Sequence, residues 1–175
     1  MEVRVRYAKV GKVRFLSHRD LARILERAVR RAGLPVAYSQ GYSPRARLHF
    51  GLALSTGYES LAEYIDIDLV DPDEGGAESA LPAADEVADL LQPCLPPGVV
   101  TTASTLLEAG TPALQDAVTS CTWEFLLDPA DHDRATANAA RMLAAEELPI
   151  DLVRKSKQVR EDLRWLGRGA QARRT

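Results

Sequence analysis

Arginine dominates the chemistry available to the first fifty residues. Residues 1–50 hold 12 Lys/Arg against 3 Asp/Glu, a net +9. Residues 51–148 hold 2 against 19, and residues 149–175 hold 8 against 3, net −17 and +5. Segregation on this scale suits a basic face that meets a polyanion or an acidic protein surface. The competing reading is that the basic ends pair with the acidic middle inside one fold. Arg19, Arg23 and Arg27 recur every four residues, with Arg30 and Arg31 following. At helical spacing they form one stripe able to contact successive phosphates. Every basic residue of that stripe is Arg, whose planar fork pairs bidentately with phosphate or carboxylate. A solvated helix face with packed arginine stems would look the same in sequence.

A second constellation runs from Tyr38 to His49 and holds Tyr42, Arg45, Arg47 and His49 around Gly41 and Pro44. Aromatic rings of this kind stack on bases while arginines hold the backbone. A rigid loop with core-packed tyrosines is the alternative. His18 and His49 are weak candidates for metal-free general acid–base cleavage of RNA, assisted by Tyr42; two hydrogen-bonding histidines are the simpler reading. Asp66 and Asp68 share a parity and read as exposed strand carboxylates rather than metal ligands. Glu63 shares the parity of Ile65 and Ile67, so it reads as a half-buried carboxylate in need of a partner such as Arg14 or Arg47. Walker A, Rossmann glycine, zinc cysteine and G-x-S-x-G patterns are all absent. Cys94 and Cys121 have no partner spacing, which suits a reducing compartment and excludes a cysteine-ligated cluster. The chain is therefore read as cytoplasmic, without a membrane span, metal or cofactor of its own.

The elements that must position these residues follow from periodicity. Residues 3–16 alternate and read as extended, with a bend at Gly11. Ser17-His18-Arg19-Asp20 has the form of a capping box, in which each of Ser17 and Asp20 satisfies the other's backbone N–H. Leu21, Ile24, Leu25, Ala28 and Ala32 follow at helical spacing until Gly33 and Pro35 stop the helix. Strands are predicted at 36–39, 45–54, 62–69 and 99–107, with an acidic loop at 71–84 and a helix at 85–91. Gly41 sits in the reversal before Arg45, where a positive φ is expected. The order strand, helix, strand, strand, helix, strand is that of a ferredoxin-like βαββαβ antiparallel sheet with helices on one face. The predicted division is a domain at 1–107, a linker at 108–118 and a partial second ferredoxin-like unit at 119–175. That unit is expected to hold a strand at 119–127, a helix at 131–147, a strand at 150–153 and a basic flexible tail.

Several of these stretches together resemble a known family. They are Val13-Arg14-Phe15-Leu16-Ser17-His18-x-Asp20-Leu21, Ala32-Gly33-Leu34-Pro35, Tyr38-Ser39-Gln40-Gly41-Tyr42-Ser43-Pro44-Arg45-x-Arg47-Leu48-x-Phe50, Gly57-Tyr58-Glu59-Ser60 and Glu63-Tyr64-Ile65-Asp66. The chain is identified as similar to the radical SAM-associated (radical SAM-linked) family, densely over residues 1–70 and more loosely through Arg154-Lys155-x-Lys157 and Asp162-Leu163-Arg164. The molecular function of that family is unknown. The resemblance implies an accessory, non-catalytic role beside a cobalamin-binding radical SAM partner, with RNA or a ribosome-related substrate suggested by the family's gene neighbourhood. It also implies that radical chemistry belongs to the partner. Family members continue beyond the Asp-Leu-Arg element, so RWLGRGAQARRT reads as a shortened end. The binders implied are Arg19, Arg23, Arg27, Tyr42, Arg45, Arg47 and His49, supported structurally by Ser17, Asp20, Gly33, Gly41, Pro44 and Glu63. A module that docks its basic helix on the partner protein, without nucleic acid, is the alternative.

Overall fold

The computed structural model describes residues 1–70, 81–154 and 157–162. Most of the acidic loop expected at 71–84, together with residues 155–156 and the C-terminal basic stretch, lies outside the described residues. Two compact units divide the chain, Met1–Cys121 and Thr122–Thr175.

The first unit is built on strands β1 (Glu2–Lys9), β2 (Leu48–Phe50), β3 (Ser60–Asp68) and β4 (Val99–Leu106). They lie in the order β2-β3-β1-β4, with every neighbouring pair antiparallel. The period-2 pattern explains the two faces. Val3 and Val5 of β1 pair with Ile67 and Ile65 of β3, and all four are buried. Their neighbours on the other face pair in the same ladder, Glu2 with Asp68, Arg4 with Asp66 and Arg6 with Tyr64. Helices α1 (His18–Arg31) and α2 (Val87–Leu91) cover the apolar face. Leu21, Leu25, Ala28 and Val29 of α1 join Val87, Ala88 and Leu91 of α2 in that core. Burying a leucine such as Leu25 is worth about 2 kcal/mol. Polar bonds also pin α2 to β4: the Thr101 hydroxyl donates to the Ala88 carbonyl at 2.8 Å, and the Ser104 hydroxyl oxygen accepts from the Ala88 N–H at 3.0 Å.

Local sequence sets the helix ends. The Ser17 hydroxyl oxygen accepts from the Asp20 N–H at 3.2 Å, capping α1. The reciprocal half of the expected box is replaced: the Ser17 hydroxyl donates to the Asp20 carboxylate at 2.7 Å. Asp is one methylene shorter than the Glu that closes such a box on the backbone. At the other end Leu34 N–H donates to Val29 O at 3.3 Å and Gly33 N–H to Arg30 O at 3.2 Å, the paired bonds of a Schellman stop.

In the first unit four segments depart from expectation. The extended reading of 3–16 ends at Lys9; Gly11–Phe15 forms a 3-10 turn, held by the Glu59 carboxylate, which accepts from Gly11 N–H at 2.9 Å and from Arg14 at 3.1 Å. The strand at 36–39 reduces to two bridges, Val36 with Leu69 and Tyr38 with Ala46, where Pro35 removes a ladder donor. The strand at 45–54 shrinks to β2. The stretch read as a linker at 108–118 carries helix α3 (Leu114–Ala117), and its Leu114 is buried within the first unit.

The second unit holds helix α4 (His132–Ala144) and an antiparallel hairpin of β5 (Pro149–Arg154) and β6 (Lys157–Asp162). No strand forms at 119–127, where Trp123 and Phe125 are exposed. Alternation alone makes no strand when no partner edge takes its hydrogen bonds. The βαβ opening expected here is thus a helix and a hairpin, and none of its described residues is buried. Among the described residues no helix is long and apolar enough to cross a membrane.

Tyr7 supplies a pH test of the core. Burial, with a smaller contribution from Glu63, pushes its phenol pKa well above the ordinary value. A group whose folded pKa is raised contributes stability that is intact below its unfolded pKa and lost as pH rises past it. Unfolding free energy should therefore fall above about pH 10. Tyr7→Phe should flatten that alkaline limb while changing neutral stability little, as urea melts between pH 8 and 11.5 would show.

Candidate functional site: a paired sheet face and a free arginine helix

The open face of the sheet is charged, and Arg4 and Arg47 find acid partners on it. Arg4 donates two hydrogen bonds to Asp66, Nε to Oδ1 at 2.7 Å and Nη2 to Oδ2 at 2.8 Å. Asp66 is 4% exposed, so the reading of this residue as a solvated carboxylate is corrected. The Asp66 hydrogen bonds raise the Arg4 pKa and keep the guanidinium charged, against the opposing effect of burial. Arg47 pairs with Asp68 at 2.8 Å, and His49 Nε2 lies 3.6 Å from the same carboxylate. Arg14 pairs with Glu59. Both partners suggested for Glu63 are thereby engaged elsewhere, and Glu63 faces Tyr7 across the β1–β3 ladder instead.

Helix α1 is different. Arg19, Arg23, Arg27, Arg30 and Arg31 are all exposed. Arg23 has a long i,i+3 contact with Asp20 at 3.5 Å, and Arg27 Nε donates to the Arg23 carbonyl at 3.2 Å. Among the described residues no carboxylate pairs with Arg19, Arg27, Arg30 or Arg31. The basic end thus splits. Arg4, Arg14 and Arg47 meet acids of β3 and its approach, as the pairing alternative supposes, whereas the helix stripe faces solvent.

The loop before β2 is a closed hairpin. Ser39 N–H donates to Arg45 O at 2.9 Å, and Arg45 N–H donates to the Ser39 hydroxyl oxygen at 3.1 Å. Gly41 has φ 135°, in the region expected for it. A Cβ there would meet no atom within 4 Å, so backbone conformation rather than crowding favours glycine. Tyr42 stands fully exposed at the tip rather than packed in the core, with Pro44 and Arg45 beside it also exposed. The histidines are not brought together by any contact. The His18 ring meets Phe50 edge-on at 5.1 Å, and His49 has the opposite strand parity, facing Asp68. Sequence reasoning missed Arg4 and Glu2 as members of the charged face. Their juxtaposition depends on the β1–β3 register, which no local pattern displays.

These features define an α+β protein with one helix-covered antiparallel sheet, ion pairs on the opposite face and a basic helix. A family described as an uncharacterized protein conserved in bacteria (DUF2344) matches residues 2–171, and the chain belongs to it. No curated protein and no solved structure matches the chain.

The Arg4–Asp66 pair gives a stability test. Removing one partner leaves an uncompensated charge in a buried site, at a cost of about 3–5 kcal/mol, whereas a shape-matched apolar pair is often close to neutral. Arg4→Ala, which strands the buried Asp66, should therefore lower unfolding free energy by roughly that amount, and Arg4→Met/Asp66→Leu by much less. Urea denaturation of the single and double variants measures both.

Proposed function

We propose that this protein is a cytoplasmic, non-catalytic accessory module of a radical SAM enzyme system, which binds RNA or an RNA-containing substrate through α1 and the Ser39–Arg45 hairpin. The observation that carries the reading is the exposed arginine row Arg19, Arg23, Arg27, Arg30 and Arg31, whose charges the fold leaves largely unmatched. An exposed cationic row suits a phosphate backbone, and Arg45 extends the basic character to the hairpin. Tyr42, fully exposed between Gly41 and Ser43, offers a face for an unstacked base, which favours single-stranded RNA. Arg47 and His49 are secondary in this reading because Asp68 already engages them. The sheet order 2-3-1-4 with two helices on one face supports a ferredoxin-like fold as the platform. The two unpaired cysteines, Cys94 and Cys121, accord with a reducing cytoplasm.

A salt titration of fluorescent single-stranded RNA binding tests this reading. Affinity should fall steeply with salt, and Arg23→Glu/Arg27→Glu should weaken it at least tenfold while lowering the log–log salt slope by about 1–2. Tyr42→Ala should weaken binding by roughly 1–3 kcal/mol with little change in slope. Absence of binding at low salt, or affinity indifferent to salt, would remove the proposal.

A further inference from the structure

We infer that Glu2, His49 and Asp68 form a binding site for a first-row divalent cation such as Zn²⁺, Mn²⁺ or Co²⁺. The three residues come from three neighbouring strands, β1, β2 and β3. The ladder fixes their placement: Glu2 pairs with Asp68, and His49 pairs with Asp66, one step along the same face of β3. One ligand atom from each of the three lies within 4.8 Å of the others. Ligands held about 2.1 Å from one ion sit roughly 3.0–3.4 Å apart, so small side-chain rotations close the set. The sheet backbone need not move.

The chemistry of the set selects the ion. Two carboxylates and one imidazole suit Zn²⁺, Mn²⁺ or Co²⁺ better than Ca²⁺ or Mg²⁺, which favour all-oxygen shells. Arg47 does not block Asp68. A carboxylate has two oxygens, and Arg47 holds Oδ2 at 2.8 Å, the oxygen that His49 Nε2 also approaches at 3.6 Å, so a turn of the carboxylate is needed to bring Oδ1 to an ion. In that arrangement Arg47 orients a ligating carboxylate, as outer partners of metal ligands commonly do. Glu2 and His49 also line a cavity of about 490 Å³ bordered by Thr111, Leu114 and Gln115. Three protein ligands leave coordination positions open, and the cavity gives water or a ligand oxygen access to them. None of the α1 arginines enters this argument, so it stands apart from the RNA reading.

Manganese broadening on the wild-type protein tests the site without a variant. The chain has three histidines, His18, His49 and His132. Substoichiometric Mn²⁺ added to untagged, chelator-stripped protein should broaden the His49 ring signals first and more strongly than those of His18. Co²⁺ titrated by visible absorbance should saturate at one equivalent. Glu2→Gln and His49→Ala should each weaken Co²⁺ at least tenfold while retaining the wild-type circular dichroism spectrum, and His132→Ala should bind as wild type. No saturable uptake, broadening centred on His18 or His132, or undiminished affinity in both site variants would overturn the assignment.

Discussion

The bidentate contact between Arg4 and Asp66 fixes the register of the first unit's sheet. It joins the two central strands across the face opposite the helices, with Asp66 almost wholly buried. A one-residue slip of β1 against β3 would carry Arg4 into the apolar core and Val3 and Val5 out of it, and would leave Asp66 without its partner. Register is therefore specified twice, by apolar burial on one face and by charge pairing on the other. Unpaired burial of either ion would cost several kcal/mol, so the pair also penalises alternative registers. Everything flanking the centre inherits its position from this register. That includes Glu2 opposite Asp68, β2 on the outer edge of β3 and the hairpin that leads into β2.

This constraint divides the basic N-terminal segment into two populations. Arg4, Arg14 and Arg47, on or beside the sheet, meet carboxylates supplied by β3 and its approach, whereas Arg6 of β1 stays exposed without an ion pair among the described residues. Arginines on α1 cannot reach those acids, because the helix packs its apolar stripe on the other face and turns its charged side outward. A net charge count over 1–50 cannot separate the populations, since charge that is matched in the fold and charge that is displayed contribute equally to it. The distinction matters for function: a matched arginine has most of its field cancelled, whereas a displayed one attracts polyanions over about a Debye length.

The same separation explains what was legible in the sequence. Helix α1 was readable end to end because its signals are local: the Ser17 cap, the apolar spacing from Leu21 to Ala32 and the Gly33 stop all lie within one stretch. The alternation of β1 and β3 was readable for the same reason. Asp66 was misjudged because its parity matches that of Asp68, and parity reports a face without reporting what covers it. Its partner lies 62 residues away. The trio of Glu2, His49 and Asp68 was invisible because no motif links three residues spread over three strands. At 119–127 the error ran the other way. Alternation around Trp123 and Phe125 suggested a strand, but a strand exists only where another edge accepts its hydrogen bonds, and local sequence says nothing about that edge.

The arginine side chains themselves report the division between matched and displayed arginines. In ¹⁵N-labelled protein, the Nε–Hε signals of all arginines would be followed while single-stranded RNA is added at low salt. This division predicts shifts or broadening at Arg19, Arg23, Arg27, Arg30 and Arg31, with Arg4 and Arg14 unmoved because their carboxylate partners hold them. Perturbation centred on Arg4 and Arg14, with the helix signals unchanged, would contradict it.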